Sequence, residues 1–94
     1  MAKFLMLGRY SQEAVKGITV DRTNKVKEII EKAGGKINAM YALLGKYDLA
    51  FIVDFPAVSD CMKASVVITK LTGIGFTTSS AITVEEFDKA VAVG

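Results

Sequence analysis

The sequence predicts an α+β domain in which two helices cover one face of a four-stranded antiparallel sheet. Three observations predict this class: an apolar run of strand length near the start, an amphipathic helix pattern behind it, and two mid-chain strand patterns joined by a glycine-containing turn. Because the 94 residues show no linker or internal repeat, we predict a single domain over residues 1–94.

The first strand is predicted over residues 3–10. Its run Phe4–Leu7 is apolar at every position, which is typical of an inner strand covered on both faces. Residues 11–19 are ambiguous between a loop and a broken helix, because Gly17 interrupts a segment that Ser11 is suited to cap.

The first long helix is predicted over residues 20–33. Its apolar residues recur at i, i+3, i+4 and i+7, with lysines and glutamates on the opposite side; they are Val26, Ile29, Ile30 and Ala33. Gly34–Gly35 is expected to end this helix, because glycine adopts the left-handed capping conformation without steric cost.

A β-hairpin is predicted from residues 36–44 and 48–55, with Gly45–Lys46 as a tight connection. Strict alternation puts apolar residues of the first strand on both faces of the sheet. They are Ile37, Ala39, Tyr41 and Leu43 on one face and Met40, Ala42 and Leu44 on the other. The second of these faces also receives four residues of the next strand, Asp48, Ala50, Ile52 and Asp54.

A second long helix is predicted to end at Thr72, before Gly73, with Ser59 or Asp60 as its N-cap. The β-branched run Val66–Thr69 argues locally for a strand. We prefer the helix, because the length of the segment suits a crossover between strands.

The last strand is predicted over residues 76–83. Thr83 and Glu86 then have the spacing of a capping box, which predicts a short final helix. This helix is expected to dock against the domain through its apolar residues, Phe87, Ala90 and Val91.

The order strand, helix, hairpin, helix, strand is that of a ferredoxin-like βαββαβ sandwich, here with a short C-terminal helix. Its helices cover one face of the sheet only. The uncovered face is predicted to carry five apolar residues, Met40, Ala42, Leu44, Ala50 and Ile52. Since 51% of the chain is hydrophobic, we expect a second copy to cover that face in a homodimer or higher oligomer.

Charge and cysteine content limit the classes of partner. Twelve Lys and Arg against ten Asp and Glu give a net charge of +2 without a clustered basic stripe, so we expect no nucleic-acid partner. The one cysteine forms no internal disulfide, and no signal peptide or membrane-spanning run is visible. We therefore expect a cytoplasmic protein without a membrane partner.

Several catalytic classes are disfavoured by composition. The chain has no histidine, which excludes Ser–His and Cys–His nucleophiles, and one cysteine cannot complete a zinc site, so we expect no metal. No glycine-containing segment has the spacing of a phosphate-binding loop. We expect no cofactor.

The hairpin turn is the segment that most suggests a function. In a structural interpretation, Gly45 supplies a positive φ angle and Asp48 hydrogen-bonds the turn. In a functional interpretation, Tyr47 and Asp48, with Tyr41 or Tyr10, line a pocket between the sheet and a partner subunit. Such a pocket would recognise a small polar ligand.

Two further side chains are open to interpretation. A buried Asp48 carboxylate needs a donor, from Arg9, Arg22 or a backbone amide of the turn. Arg22 could itself hold an anionic ligand or pair with Asp21 or another acidic neighbour. Cys61 is near a helix start, where a thiolate would be favoured, but its place on the apolar face indicates a small core residue.

Residues 41–48 read Tyr-Ala-Leu-Leu-Gly-Lys-Tyr-Asp and resemble the signature of the GYD domain family. Arg22 before the first long helix, Gly34–Gly35 after it and Ala81–Phe87 near the end agree with the same family. The likeness covers nearly the whole chain. It implies a ferredoxin-like domain of the dimeric α/β-barrel type, and it implies no particular activity.

A weaker resemblance connects the hairpin turn and Thr72–Gly75 with the effector domains of leucine-responsive-type regulators. Those domains bind amino acids at subunit interfaces. We expect no helix-turn-helix before the first strand, because that strand begins almost at Met1. The resemblance therefore implies small-molecule sensing without direct control of transcription.

The leading hypothesis is a non-enzymatic, oligomeric domain that binds a small polar metabolite at a subunit interface or serves as an interaction module. The candidate ligand-binding residues are Arg22, Tyr41, Gly45, Tyr47 and Asp48. The alternative is a cofactor-independent enzyme of the dimeric α/β-barrel kind, an oxygenase or isomerase for a small aromatic compound, whose base would be Asp48, Asp54 or a tyrosine. A third interpretation is a structural subunit without a ligand.

Overall fold

The computed structural model describes residues 1–92 and confirms the α+β class. One antiparallel sheet contains β1 (Ala2–Tyr10), β2 (Lys36–Ala42), β3 (Leu49–Phe55) and β4 (Ile74–Ala81), in the spatial order β2-β3-β1-β4. The helices are α1 (Gln12–Lys16), α2 (Val20–Lys32), α3 (Val58–Thr72) and α4 (Val84–Val91). The predicted ferredoxin-like order is present, with α1 added before α2.

The core lies between helices α2 and α3 and one face of the sheet, here called the helix face. Alternate residues of the central strands are buried there, namely Phe4 and Met6 of β1 and Phe51, Val53 and Phe55 of β3. From the helices, Val26, Ile30, Cys61, Ala64 and Ile68 complete the packed cluster. The apolar stripe predicted for the first long helix therefore faces the core, as its 3.6-residue period requires.

Most helix boundaries agree with the predictions, and the start of α3 differs. Ser11 Oγ accepts a hydrogen bond from Ala14 N at 3.0 Å, so the ambiguous segment after β1 is a short capped helix. Gly34, with a φ of 83°, follows α2 as predicted. The predicted cap of α3 is wrong, because the helix begins before Ser59 and Asp60, and its N-cap Ala57 makes no side-chain bond.

The strict alternation predicted for the first hairpin strand is wrong as well. The register of β2 against β3 shifts between Ile37 and Ala39, as in a β-bulge. Ile37 pairs on the helix face, but after the shift it is Met40 that pairs with the buried Phe51. Ala39 and Tyr41 lie on the opposite side of the sheet, here called the open face. One extra residue in a strand moves the side chain of every later residue to the opposite face of the sheet. Alternation in the sequence alone does not reveal such a residue.

The open face is apolar at its centre. Leu5, Leu7, Ala50 and Ile52 are half-buried there, with Ala39 and Tyr41 beside them on β2. Ala50 and Ile52 are where they were predicted, but Met40 and Ala42 face the helices and Leu44 lies in the turn. Helices α2 and α3 pack on the other side, so they leave this face uncovered.

The final helix forms but does not dock as predicted. Its capping bond is present, since Glu86 N donates to Thr83 Oγ1 at 3.0 Å. No residue of α4 is buried, and the side chains of Phe87 and Val91 are 54% and 56% exposed. The radius of gyration is 14.4 Å and the long axis 54 Å, whereas about 12 Å is usual for a compact chain of this length. Helix α4 therefore lies outside the packed body.

Candidate functional site

The hairpin turn holds its shape through its own backbone. Leu43 N donates to the Asp48 carbonyl oxygen at 2.8 Å and closes the loop between β2 and β3. Gly45 has a φ of 134°, a region that L side chains rarely adopt, so the predicted conformational role of this glycine is confirmed.

The Asp48 side chain connects this turn to the end of β1. Its Oδ2 accepts a hydrogen bond from Tyr10 N at 2.8 Å, and Asp48 N donates to the Gly8 carbonyl oxygen at 2.8 Å. The donor to the carboxylate is therefore a backbone amide of β1, which is none of the three predicted donors. Asp48 fixes the position of Tyr10.

Arg22 lies in the first turn of α2, where Thr19 caps the helix by accepting a bond from Arg22 N at 3.0 Å. Its Nη1 donates to the Ala14 carbonyl oxygen, and its guanidinium lies over the Tyr10 ring, 5.5 Å from the centroid. A Cβ at Gly17 would approach Nη1 to 3.1 Å, so this glycine makes room for the side chain. Arg22 takes part in none of the ion pairs found among residues 1–92.

A cavity of about 280 Å³ lies beside this arginine, between α2 and the helix face of the sheet. Most of its wall is apolar and consists of Ile18, Val26, Met40, Ala42, Leu49, Phe51 and Ile74. The polar groups in the wall belong to Tyr10, Arg22, Thr23 and Tyr41. An apolar hollow with a few convergent polar groups is the usual form of a small-molecule site.

The five predicted site residues do not all meet at this cavity. Arg22 and Tyr41 line it, and Tyr10, proposed as an alternative to Tyr41, lines it too. Gly45, Tyr47 and Asp48 are not in its wall; Lys46 Nζ lies 5.6 Å from the centre of the Tyr47 ring.

Tyr41 belongs to two surfaces. It contributes to the cavity wall, and it pairs with Ala50 on the open face, where it is 59% exposed. The edge strand β2 therefore borders both the cavity and the open face.

Asp48, Tyr10 and Arg22 form a connected series. The carboxylate holds the backbone of Tyr10, the Tyr10 ring lies beneath the guanidinium, and the guanidinium borders the cavity. The sequence pattern indicated the first and last members separately. It missed Ile18, Thr23 and Gly17, for which the only signal is their position near the capped start of α2.

Four groups with perturbed pKa values within residues 1–92 lie away from this cavity, Cys61 and Asp54 among them. Burial raises the pKa of the Cys61 thiol, in agreement with the core role predicted for it. On the open face, hydrogen bonds from Asn38 and then Lys3 lower the pKa of Asp54. The Lys3 Nζ to Asp54 Oδ1 distance is 3.1 Å.

Residues 1–92 contain no group of three or more Cys, Asp and Glu side chains placed to hold a metal ion. Within the same range, no helix combines the length and the hydrophobicity that crossing a bilayer requires.

A family model for the GYD domain matches residues 4–91. The chain belongs to the GYD domain family. Its Gly45, Tyr47 and Asp48 are thus the residues of a hairpin that anchors β1 next to the cavity. No curated protein matches the sequence of this GYD domain.

Two solved structures share the fold at low sequence identity. The leucine response regulatory protein of Mycobacterium tuberculosis is 6% identical with a TM-score of 0.57, and the match covers 87% of this chain and 51% of that one. A homoserine dehydrogenase from Thiobacillus denitrificans is 14% identical with a TM-score of 0.55, covering 84% of this chain and 17% of that one. The GYD domain spans about half of the first protein and a smaller part of the second.

Proposed function

We propose that this GYD domain is a non-enzymatic, homodimeric ligand-binding domain whose ligand is a small apolar molecule with one anionic group. The observation that carries the proposal is the position of Arg22, held over the Tyr10 ring at the wall of an otherwise apolar cavity.

The charge of Arg22 sets the polar end of the ligand. A guanidinium has five N–H donors and stays protonated. The Ala14 carbonyl oxygen accepts a hydrogen bond from Nη1 only. The remaining donors border a hollow with apolar walls, where a charge without a partner is unfavourable. A carboxylate placed there would form charge-assisted hydrogen bonds, which are stronger than neutral ones.

The remainder of the wall sets the body of the ligand. The cavity volume of about 280 Å³ is at the small end of the ~300–1,000 Å³ typical of ligand sites. Aliphatic and aromatic side chains such as Val26, Met40 and Phe51 favour a compact hydrocarbon group. One fold neighbour is named for a response to leucine, a molecule with an apolar side chain and a carboxylate.

Matched acids and amides test this proposal by thermal shift. Benzoate, phenylacetate and 4-methylpentanoate are compared with their neutral amides, which have the same shape without the charge. We expect the acids to raise the melting temperature and the amides to do so less, because only the acids pair with Arg22. Equal shifts for acids and amides, or none for the whole set, would contradict the proposal.

Variants then locate the site. Arg22→Gln is expected to weaken acid binding tenfold or more, a loss of at least about 1.4 kcal/mol of binding free energy. Lys25→Gln is the matched control, because it removes the same charge from the same helix outside the cavity wall. Ligand-induced shifts are compared within each variant, since loss of the Arg22 bond to Ala14 lowers the baseline stability of the first variant.

The homodimer part of the proposal rests on the open face. Leu5, Leu7 and Ile52 form an apolar centre on a face that α2 and α3 leave uncovered. The charged groups lie towards its ends, with Lys3 and Asp54 paired at one of them. An apolar centre with a polar rim is the usual composition of a stable interface.

Light scattering tests the dimer. Ile52→Lys is expected to give a folded protein that has lost the open-face contact and has a lower mass than the wild type, whereas Val67→Lys, on an exposed part of α3, should keep the wild-type mass. A wild-type protein that is monomeric at micromolar concentration would refute this part of the proposal.

We also propose a cytoplasmic location, which the free, buried thiol of Cys61 supports.

Binding is favoured over the enzymatic alternative by the content of the cavity wall. Its ionisable residues are Tyr10, Arg22 and Tyr41, and the nearby Asp48 carboxylate is engaged by the Tyr10 amide. The other candidate base, Asp54, is paired with Lys3 outside the cavity. Binding needs only the guanidinium and the apolar wall, so it is the function that the geometry supports best.

A further inference from the structure

Helix α4 presents an apolar stripe to solvent. Val84, Phe87 and Val91 recur at i, i+3 and i+7, and their side chains are 75%, 54% and 56% exposed. The neighbouring residues on this helix are mostly acidic. Glu85 pairs with Lys89 at 3.5 Å, which leaves two further acidic residues, Glu86 and Asp88, to give α4 a net negative charge.

Helix α3 has an unpartnered stripe of its own. Val58, Met62 and Val66 recur every four residues, are all more than half exposed and line one side of a groove between α3 and β4. Phe76 of β4 lines the opposite side. The volume of this groove is about 330 Å³.

The two stripes match in length. At about 1.5 Å of rise per residue, the stripe from Val58 to Val66 is about 12 Å long and that from Val84 to Val91 about 10.5 Å. Both are apolar, and the residues of both stripes are more than half exposed. The groove therefore has room along its length for one short helix of the size of α4.

The charges beside the two stripes are complementary. Lys70 continues the four-residue spacing of the α3 stripe beyond Val66, and it belongs to no ion pair found within residues 1–92. A helix whose apolar side lies in the groove would bring its flanking acidic residues, among them Asp88, towards this lysine.

We infer that α4 of one chain occupies the α3–β4 groove of a second copy, in a reciprocal exchange. In the chain as folded, α4 lies outside the packed body and only Ile82 and Thr83 separate it from β4. A short connection before an undocked helix favours exchange between chains. The inference involves neither the ligand cavity nor the open face.

Disulfide cross-linking tests the exchange. In a Cys61→Ala background, one chain with Met62→Cys is co-expressed with a second chain with Phe87→Cys, and the mixture is oxidised. We expect a covalent dimer whose disulfide joins positions 62 and 87, identified by peptide mass mapping. Replacing Phe87→Cys by Lys89→Cys moves the thiol away from the apolar stripe and is expected to abolish this cross-link.

A double variant with both cysteines in one chain distinguishes exchange between chains from docking of α4 in the groove of its own chain. If α4 occupied its own groove, oxidation would give a monomer with an internal disulfide, and the inference would be overturned. Absence of any disulfide between positions 62 and 87 would overturn it equally.

A second measurement requires no change in the core. Phe87 is largely exposed in the single chain, so Phe87→Ala should leave the fold intact while raising the dissociation constant of the oligomer at least tenfold in sedimentation experiments. Lys89→Ala is the control and should leave that constant unchanged. Equal constants for both variants would contradict the exchange. The open-face variant Ile52→Lys should still form the 62–87 cross-link, so failure of the open-face proposal would not affect this result.

Discussion

Removal of the Asp48 carboxylate perturbs the bond that fixes the hairpin to β1. In Asp48→Ala, the Tyr10 amide loses an acceptor that lies 2.8 Å away. A hydrogen bond to a charged group contributes about 1.5–3 kcal/mol, and we expect the lower limit, about 1.5 kcal/mol, because Asp48 is half-exposed. For a domain of this size, that loss lowers the melting temperature by roughly 6–12 °C.

Asp48→Asn separates the charge from the bond. The amide oxygen of asparagine can still accept from Tyr10 N, so the expected loss is smaller, on the order of half that of the alanine variant. Urea unfolding followed by circular dichroism is the assay, and the midpoint should fall without a change of slope. Hydrogen exchange at the Tyr10 amide should accelerate in the alanine variant.

Glu31→Ala provides the control for loss of a carboxylate. Glu31 is exposed on α2, so its removal should change the stability by less than about 0.5 kcal/mol. The reasoning would be refuted by an Asp48→Ala protein with the wild-type urea midpoint, or by unchanged exchange at the Tyr10 amide. A loss as large in Asp48→Asn as in Asp48→Ala would show that the charge alone matters.

Two further predictions concern packing and pH. A Cβ at Gly35 would lie 2.8 Å from the Phe55 ring, so Gly35→Ala should lower the free energy of unfolding by about 1–3 kcal/mol, measured by thermal unfolding. Gly75→Ala is the control, because a Cβ there has no atom within 4 Å and should not destabilise the protein in this way. Asn38→Ala should raise the pKa of Asp54 towards its ordinary 3.8, measured by carboxyl NMR titration. The pKa of Asp54 is lower in the folded protein than in the unfolded chain, so ionised Asp54 stabilises the fold above pH 3.8. This stabilisation is lost as the pH falls through the pKa of the folded state. Asn38→Ala has less of it and should therefore lose less stability on acidification. An unchanged pKa would contradict the assignment of Asn38 as the main cause.

The sequence was sufficient for the elements whose signals are local. The stripe containing Val26 and Ile30 determines which side of α2 is buried, and Thr83 with Glu86 determines where α4 begins. Where a helix docks is decided by the rest of the chain and by partners. For this reason the existence of α4 was predicted correctly and its packing was not.

The candidate site was predictable only in part, because it is built from long-range contacts. Arg22 and Asp48 were identified as polar residues at element ends, a position that sequence shows directly. The approach of Arg22 to Tyr10 and the bond from Tyr10 N to Asp48 join segments that are distant in sequence. Residue type and spacing contain no signal for such contacts.

The bulge in β2 makes tolerance to changes in chain length differ along this hairpin. Between Ile37 and Met40 the strand has one residue more than β3 has opposite it, so deleting one residue there would remove the bulge and leave Met40 opposite Phe51. Deleting Met40 itself would bring Tyr41 inward, which would rebuild the cavity wall from the wrong side chains. At the tip, no atom lies within 4 Å of a Cβ built on Gly45, so extra residues there meet open space. Insertions and deletions among related chains are therefore expected to accumulate at the tip and at the bulge, while the part of β2 after the bulge keeps a constant length.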